Sequence, residues 1–506
     1  MALLSSKKTL LLISFITGVC VVGMEITASR LLAPYFGISI FIWSNIIGVV
    51  LAALALGYYL GGRLAEKRPS LSLLLDLVLG TGLFFLLVPW ITPLLARLIN
   101  PAVFPADSFL SALVWSSLLV ALFILALPLT VLGMVSPMLI KIYSFQETRV
   151  GQIAGSLFAL STLGSLVGSF LPTLWLIPAL GTRLTIVVFA LLLIFLGLIG
   201  SSFKKLAFGL FLTAVELILL FGLPVSASAN KDIIYQTESI YQNIRVKQDQ
   251  SGRRYMIFNE GLGFESIYDP NSALTGTFYD YFSILPYLIP EKKINVLVIG
   301  FAGGTIPRQL NYFFADKVAI DAVEIDPKVV KIAEDYFDSD QLPINIYQED
   351  GRQFLERTAK QYELIIVDAF QNEFYIPWTL TTREFWQLVD RRLSRQGILA
   401  MNLNGGQTDS DLLKFVTNTQ ASVFDKVYVT ATASSAANFM ITASQSQIDF
   451  NSEKKVDPQL QGLFEEVKNQ ISLVSFNSHL KLITDDWAPI ERMTNLSLKG
   501  LKIDWQ

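Results

Sequence analysis

Seven apolar runs fill the first 230 positions of this 506-residue chain, at roughly 9–30, 39–60, 71–96, 110–140, 152–178, 182–202 and 206–227. A helix of about 20 apolar residues crosses the hydrocarbon of a bilayer, so the pattern predicts a multi-pass α-helical membrane domain with about seven spans over residues 1–230. The first run is not read as a cleaved signal, because it contains Glu25, lacks a small-residue cleavage site and is followed by further runs.

From Tyr235 the period changes. Residues 241–246 alternate as a strand does, and 254–258 repeat the pattern after Ser251-Gly252, which predicts a hairpin. A βα rhythm comes next. Apolar strands are expected at 294–299, 319–324, 344–347, 363–368 and 397–402, with helices at 308–314 and 328–336. Alternation of this kind predicts a mainly parallel sheet, so the fold class is a membrane domain followed by an α/β Rossmann-like, methyltransferase-type domain. Boundaries are expected at 1–230 for the membrane part, 231–290 for a small β-rich subdomain on the substrate side and 291–506 for the nucleoside-binding domain.

Composition sharpens the division. Charged residues make up 16% of the chain, against about 25% in soluble proteins. Residues 1–230 hold 12 Lys and Arg and 6 Asp and Glu, whereas 231–506 hold 27 and 36. The second part is therefore acidic, net −9, a charge that suits solubility and would also attract a polycation. One cysteine, Cys20, and one histidine, His479, exclude an intramolecular disulfide framework, CxxC metal sites and HExxH zinc chemistry. No metal site is expected, and the chemistry falls to carboxylates, hydroxyls, backbone groups or a bound nucleoside.

In the short loops, Lys7, Lys8, Arg63, Lys67, Arg68, Lys141, Arg149, Lys204 and Lys205 fall on one side, against Arg97, Arg183 and Lys231 on the other. The positive-inside rule then puts the N-terminus in the cytoplasm, and seven spans would carry the acidic domain outside. Glu25 and Arg30 lie in the first apolar run and call for partners on other spans, while Asp76 and Glu216 are nearer the ends or alone; together they read either as a path for a cation or as contacts that fix helix packing. The small-residue pairs Gly155 with Ala159 and Gly164 with Gly168 suit close helix contact.

In parallel sheets ligands bind at the carboxyl ends of the strands. Four features fall there: the turn Gly300-Phe-Ala-Gly303-Gly304, Glu324, Asp350-Gly351 and Asp368. The glycines let a backbone approach a ligand closely. Glu324, 24 residues after Gly300, is placed to accept the two hydroxyl hydrogens of a ribose, and Asp350-Gly351 to read an adenine amino group. The turn does not keep the GxGxxG spacing of dinucleotide sites, which favours S-adenosylmethionine or its decarboxylated form over NAD.

These residues resemble the spermidine/spermine synthase (polyamine aminopropyltransferase) family, and the two-part layout looks like its membrane-fused bacterial branch. The likeness runs over about residues 235–405. Tyr241-Gln242-Asn243-Ile244 resembles the segment whose glutamine helps hold the nucleoside thioether. Residues 296–308 are similar to the glycine-rich motif, Val323-Glu324-Ile325-Asp326 to the ribose-binding segment and Asp350-Gly351 to the adenine pair, while Asp368 falls on the catalytic aspartate. Pro377 and residues 380–385 continue the likeness; Glu25 to Pro34, Phe36-Gly37, Trp43 and Thr484-Asp485-Asp486-Trp487-Ala488-Pro489 look like the fused branch.

The resemblance implies aminopropyl transfer from decarboxylated S-adenosylmethionine, a co-substrate and not a resident cofactor, to a polyamine such as putrescine. Tyr279, Asp280 and Gln371 are implied on the substrate side. The chain departs from the soluble family at Gly303 and Gln371, where that family has aspartates, and at Tyr279-Asp280-Tyr281, which keeps only the tyrosine of a Tyr-His-Glu segment. Asp280, Glu265, Glu373, Asp485 and Asp486 are the acids able to replace them. Expected partners are a polyamine and the lipid bilayer, with no nucleic acid; a homodimer stays open. The cytoplasmic origin of the donor would put the soluble domain inside, against the charge count. Two alternatives stay open: an S-adenosylmethionine-dependent methyltransferase, and a polyamine transporter or sensor with a non-catalytic nucleoside-binding domain.

Overall fold

A computed structural model describes residues 7–36, 39–99, 109–144, 149–199, 232–259, 263–370, 375–432, 438–450 and 456–497. The chain divides into two units. One comprises Met1–Phe104, Phe109–Asn230 and Glu238–Gln242; the other comprises Pro105–Ser108, Lys231–Thr237 and Asn243–Gln506.

The first unit is helical: α1 (Lys7–Phe36), α2 (Ile40–Lys67), α3 (Leu71–Leu98), α4 (Phe109–Ala121), α5 (Leu127–Ser144), α6 (Val150–Leu171), α7 (Ile177–Leu180) and α8 (Thr182–Leu198). A π-turn at Leu122–Ala126 joins α4 to α5, and another at Pro172–Leu176 joins α6 to α7. Proline explains the placement: Pro128 comes just after the first turn and Pro172 opens the second, and each lacks the N–H that would close an α-helical bond.

Among the described residues five helical stretches are long and apolar enough to cross a membrane: Lys7–Phe36, Ile40–Lys67, Leu71–Leu98, Val114–Ser144 and Val150–Leu180. The expected span at 182–202 is a shorter helix of 17 residues, Thr182–Leu198, about 26 Å long at 1.5 Å per residue. The expected span at 206–227 lies outside the described residues. Among the described residues there are therefore five helices long and apolar enough to cross a membrane and one shorter apolar helix.

Packing in this unit is pairwise, α1 on α6, α2 on α5 and α3 on α8. At Gly164 a Cβ would stand 2.1 Å from the Phe15 carbonyl oxygen, and at Gly18 one would stand 2.2 Å from that of Ser161; only glycine permits that approach. Gly168 makes the same kind of contact with Val19, whereas Gly155 faces open space. Of the two small-residue pairs, only Gly164 with Gly168 forms a helix contact. Lys141 Nζ lies 2.9 and 3.0 Å from the two carboxylate oxygens of Glu66, so the α2–α3 and α5–α6 connections share one side. The guanidinium of Arg30 donates to the Ile240 carbonyl. The carboxylate of Glu238 accepts from Thr182 N at 2.9 Å and Thr182 Oγ1 at 2.5 Å, closing the N-terminus of α8.

The second unit opens with a four-stranded sheet in the order β1 (Ile233–Glu238), β2 (Asn243–Gln248), β3 (Arg254–Phe258), β4 (Ser266–Tyr268). β2 and β3 form the expected antiparallel hairpin. Asp249 Oδ1 accepts from Ser251 N and Arg253 N across its turn.

An eight-stranded sheet comes next: β5 (Ile294–Ile299), β6 (Val318–Glu324), β7 (Ile344–Gln348), β8 (Tyr362–Val367), β9 (Leu393–Asn404), β10 (Lys426–Ala431), β11 (Asn438–Ser444) and β12 (Ser472–Val474), in the order β12-β10-β11-β9-β8-β5-β6-β7. The five expected strands are β5 to β9 and run parallel. Three antiparallel strands that the βα rhythm did not announce extend the sheet beyond β9. Period-two alternation supplies a core on each face: Leu297, Ile299, Ile365 and Val367 with Phe385 and Trp386 on one, and Val296, Val298, Leu364 and Ile366 with Phe282 and Leu310 on the other. The strand order reverses at β5, so the crevice of an open parallel sheet lies at the carboxyl ends of β5 and β8.

Candidate functional site

The turn after β5 is built for closeness. Gly300 adopts φ +94° and Gly304 φ +79°, both in the left-handed region that glycine tolerates. Gly300 N donates to Val323 O at 3.0 Å, and Asp368 N donates to Ile299 O at 2.9 Å, so the ends of β5, β6 and β8 are tied at one point. At Gly303, where the resemblance leads to an aspartate, a Cβ would lie 2.8 Å from Ser266 Oγ. That serine shares a 2.6 Å hydrogen bond with Thr305 Oγ1, and Thr305 opens the helix Thr305–Phe314.

Glu324 closes β6 and is buried. Its Oε2 accepts from Ala302 N at 3.1 Å and its Oε1 from Asp326 N at 3.0 Å. Burial pushes its carboxyl above the ordinary range, and the backbone donors of Asp326, Ala302 and Phe301 pull the other way. A carboxylate has about four acceptor sites, so capacity remains beyond these bonds.

Asp350 caps the helix Gly351–Arg357, its Oδ1 accepting from Gln353 N at 2.9 Å. A Cβ on Gly351 would sit 2.4 Å from Ile299 Cγ2, so this helix start presses on the end of β5. Arg352 binds both oxygens of Asp485, at 2.8 and 2.6 Å, and Thr382 Oγ1 donates to the same carboxylate at 2.7 Å. Asp485 is thereby committed to the frame of the site.

Asp368 comes directly after β8 and is half-buried. Removal from water pushes its carboxyl up to about 6, and a 2.9 Å hydrogen bond from Asn402 Nδ2 to its Oδ1 opposes that rise. A carboxylate titrating near 6 can hold a cation at neutral pH and can accept a proton from it.

Gly300, Gly304, Glu324, Asp350, Gly351 and Asp368 thus share one end of the sheet, with Gly303 in the turn between them. Other expected site residues differ. Asp280 is buried and its carboxylate accepts from Thr275 N, Thr275 Oγ1, Gly276 N and Gln309 Nε2, all within 2.9 Å. Tyr279 is buried, its hydroxyl 3.5 Å from Phe264 O. Gln242 falls in the segment Glu238–Gln242 of the first unit, its N–H donating to Ser239 Oγ at 3.0 Å. Gln371 and Glu373 lie outside the described residues. Sequence reasoning assigned no role to Asn402 or Asn438, although an asparagine two places after Ala400 on a buried strand was a visible departure from the apolar pattern.

Residues 283–455 match the family model of the spermine/spermidine synthase domain. The chain is 30% identical over 283 residues to a probable polyamine aminopropyl transferase of Bifidobacterium longum, a match covering 51% of this chain and 62% of that protein. It is 28% identical over 274 residues to the polyamine aminopropyltransferase of Vibrio vulnificus, covering 51% of this chain and 90% of that one. Among solved structures, a probable spermidine synthase from Corynebacterium glutamicum aligns at 18% identity and a TM-score of 0.40 over 48% of this chain and 90% of that one. The chain spans less than two thirds of the Bifidobacterium protein's length. Over residues 283–455 the chain is thus similar to the spermine/spermidine synthase domain, and about half of it is similar to proteins named polyamine aminopropyltransferases.

Proposed function

We propose that the chain is a membrane-embedded aminopropyltransferase that moves the aminopropyl group of decarboxylated S-adenosylmethionine to a polyamine such as putrescine. The observation that carries this reading is the tie between Asp368 and the glycine turn: the backbone carbonyl of Asp368, whose carboxyl is pushed up to about 6, packs against Gly300, and two residues on, Ala302 N donates to Glu324. Donor and base would then meet at one strand end.

In the proposed reaction a neutral amine attacks the methylene next to the sulfonium. A C–N bond forms, the C–S bond breaks with its electron pair going to sulfur, and methylthioadenosine leaves. Sulfonium is a good leaving group, so the protein need only align the amine and stabilise its growing positive charge. Asp368 accepts hydrogen bonds from that amine and takes its surplus proton. Glu324 receives the ribose hydroxyls, Asp350 with Gly351 borders the adenine, and Gly300, Gly303 and Gly304 give the donor room. Tyr279 and Gln371 are kept on the substrate side by resemblance. Asp280 serves the pocket by fixing the turn at 275–277, since four donors already engage its carboxylate. The membrane unit anchors the enzyme, and the domain is proposed to face the cytoplasm, where its nucleoside donor is made.

Full-length protein in nanodiscs, given decarboxylated S-adenosylmethionine and putrescine, should release methylthioadenosine. S-adenosylhomocysteine released from S-adenosylmethionine would instead identify a methyltransferase. Tight nucleoside binding without either product would identify a sensor.

A further inference from the structure

A line of amides crosses three neighbouring strands behind Asp368. Asn438 opens β11, Asn402 lies near the end of β9, and Asp368 comes directly after β8; these strands are adjacent in the sheet. Asn438 Nδ2 donates to Asn402 Oδ1 at 3.1 Å, and Asn402 Nδ2 donates to Asp368 Oδ1 at 2.9 Å. Asn402 is 4% exposed and Asn438 8%. Two primary amides buried beside Ile398, Ala400 and Met440 cost stability unless they are bonded, and apolar side chains are the ordinary filling of a strand interior. Packing alone does not explain them.

An ionised carboxylate only accepts hydrogen bonds. The part of Asn402 turned to Asp368 is therefore its NH2, which leaves its carbonyl for the NH2 of Asn438. The charge on Asp368 sets the direction of the whole line, and Oδ1 is committed to it.

We propose that Asn402, oriented by Asn438, is a positioning residue for amine transfer: it anchors Asp368 at Oδ1 and leaves Oδ2 to meet the attacking amine. The inference rests on the aminopropyl-transfer reading of the site. The ionisable groups near this edge are Glu324 at the end of β6, Asp350 beyond β7, and Tyr279 and Asp280 on the segment Phe278–Leu288. Among the described residues none of them contributes to the displacement of the Asp368 carboxyl, which burial raises and Asn402 lowers.

Asn402→Leu removes a donor to the charged form, so the carboxyl should titrate higher. The acid limb of kcat should then move up by about one pH unit and kcat should fall about tenfold or more, with the KM for the donor within about twofold of the parent. Asn402→Gln should restore part of the rate, and Asn438→Leu should act in the same direction but more weakly. Independently of turnover, the Asp368 carboxyl can be titrated by carbon-13 NMR of the full chain in nanodiscs, its signal identified by its loss in Asp368→Asn. It should titrate higher in Asn402→Leu. A titration that does not move in the folded variant overturns the proposal whether or not transfer occurs, as does a loss of kcat with an unchanged acid limb. Failure of the parent to release methylthioadenosine from decarboxylated S-adenosylmethionine with any diamine as acceptor removes the transfer reading instead, and the NMR titration still decides the link between Asn402 and Asp368.

Discussion

The carbonyl oxygen of Asp368 occupies the space in which a side chain on Gly300 would begin: a Cβ there would lie 2.2 Å from it. The turn is thus packed against the backbone of the proposed base.

Gly300→Ala is therefore expected to be severe. The substitution meets both the carbonyl and a φ of +94°, and an L-residue forced into that region costs about 1 kcal/mol before the clash is counted. We expect a fall in the thermal midpoint of the soluble unit and loss of methylthioadenosine release, read together by calorimetry and a product assay. Gly276, also at positive φ but with open space around it, provides the contrast: Gly276→Ala should cost only the conformational part.

Asp368→Asn should abolish turnover and yet stabilise the fold at neutral pH. Burial raises the folded carboxyl to about 6 from an ordinary 3.8. Below about pH 4 both folded and unfolded states hold the proton, and the group contributes nothing. As pH rises from about 4 to 6 the unfolded chain ionises first, so the native state loses stability, and above about 6 the penalty is complete. After allowance for partial solvent screening this is on the order of 1–2 kcal/mol. Urea unfolding at pH 4 and pH 7.5 should show the variant's advantage at the higher pH alone; an equal advantage at both would remove the burial argument.

In the membrane unit, Gly164→Leu should separate α1 from α6, since its Cβ would fall on the Phe15 carbonyl, whereas Gly155→Leu has open space and should be tolerated. Resistance to unfolding in detergent, followed by tryptophan fluorescence, should drop for the first variant and hold for the second.

The pattern of apolar positions announced much of this architecture because local periodicity encodes it. The parallel strands from Ile294 to Asn402 are short apolar runs with a polar residue at the carboxyl end, and those end residues, Glu324 and Asp368, stand out in the sequence for that reason. The antiparallel strands β10 to β12 carry no βα rhythm, so Asn438 could not be placed beside Asn402, 36 residues earlier. The commitment of Asp280 was equally hidden, because its partner Gln309 is 29 residues away on another element. The role of Gly303 depends on Ser266, which fills the space an aspartate would need. Long-range pairing was what the sequence pattern left out.

The ion pair between Glu66 and Lys141 has a consequence for parity. It returns the chain to one face after the crossings of α3 and the α4–α5 rod, so everything up to Ser144 is settled with respect to that face. Only the runs between Ser144 and residue 230 then decide which compartment receives the acidic domain. Three crossings there would leave the basic face and two would return to it. Among the described residues of that stretch, Val150–Leu180 is of spanning length, whereas Thr182–Leu198 has 17 residues and is the shorter of the two.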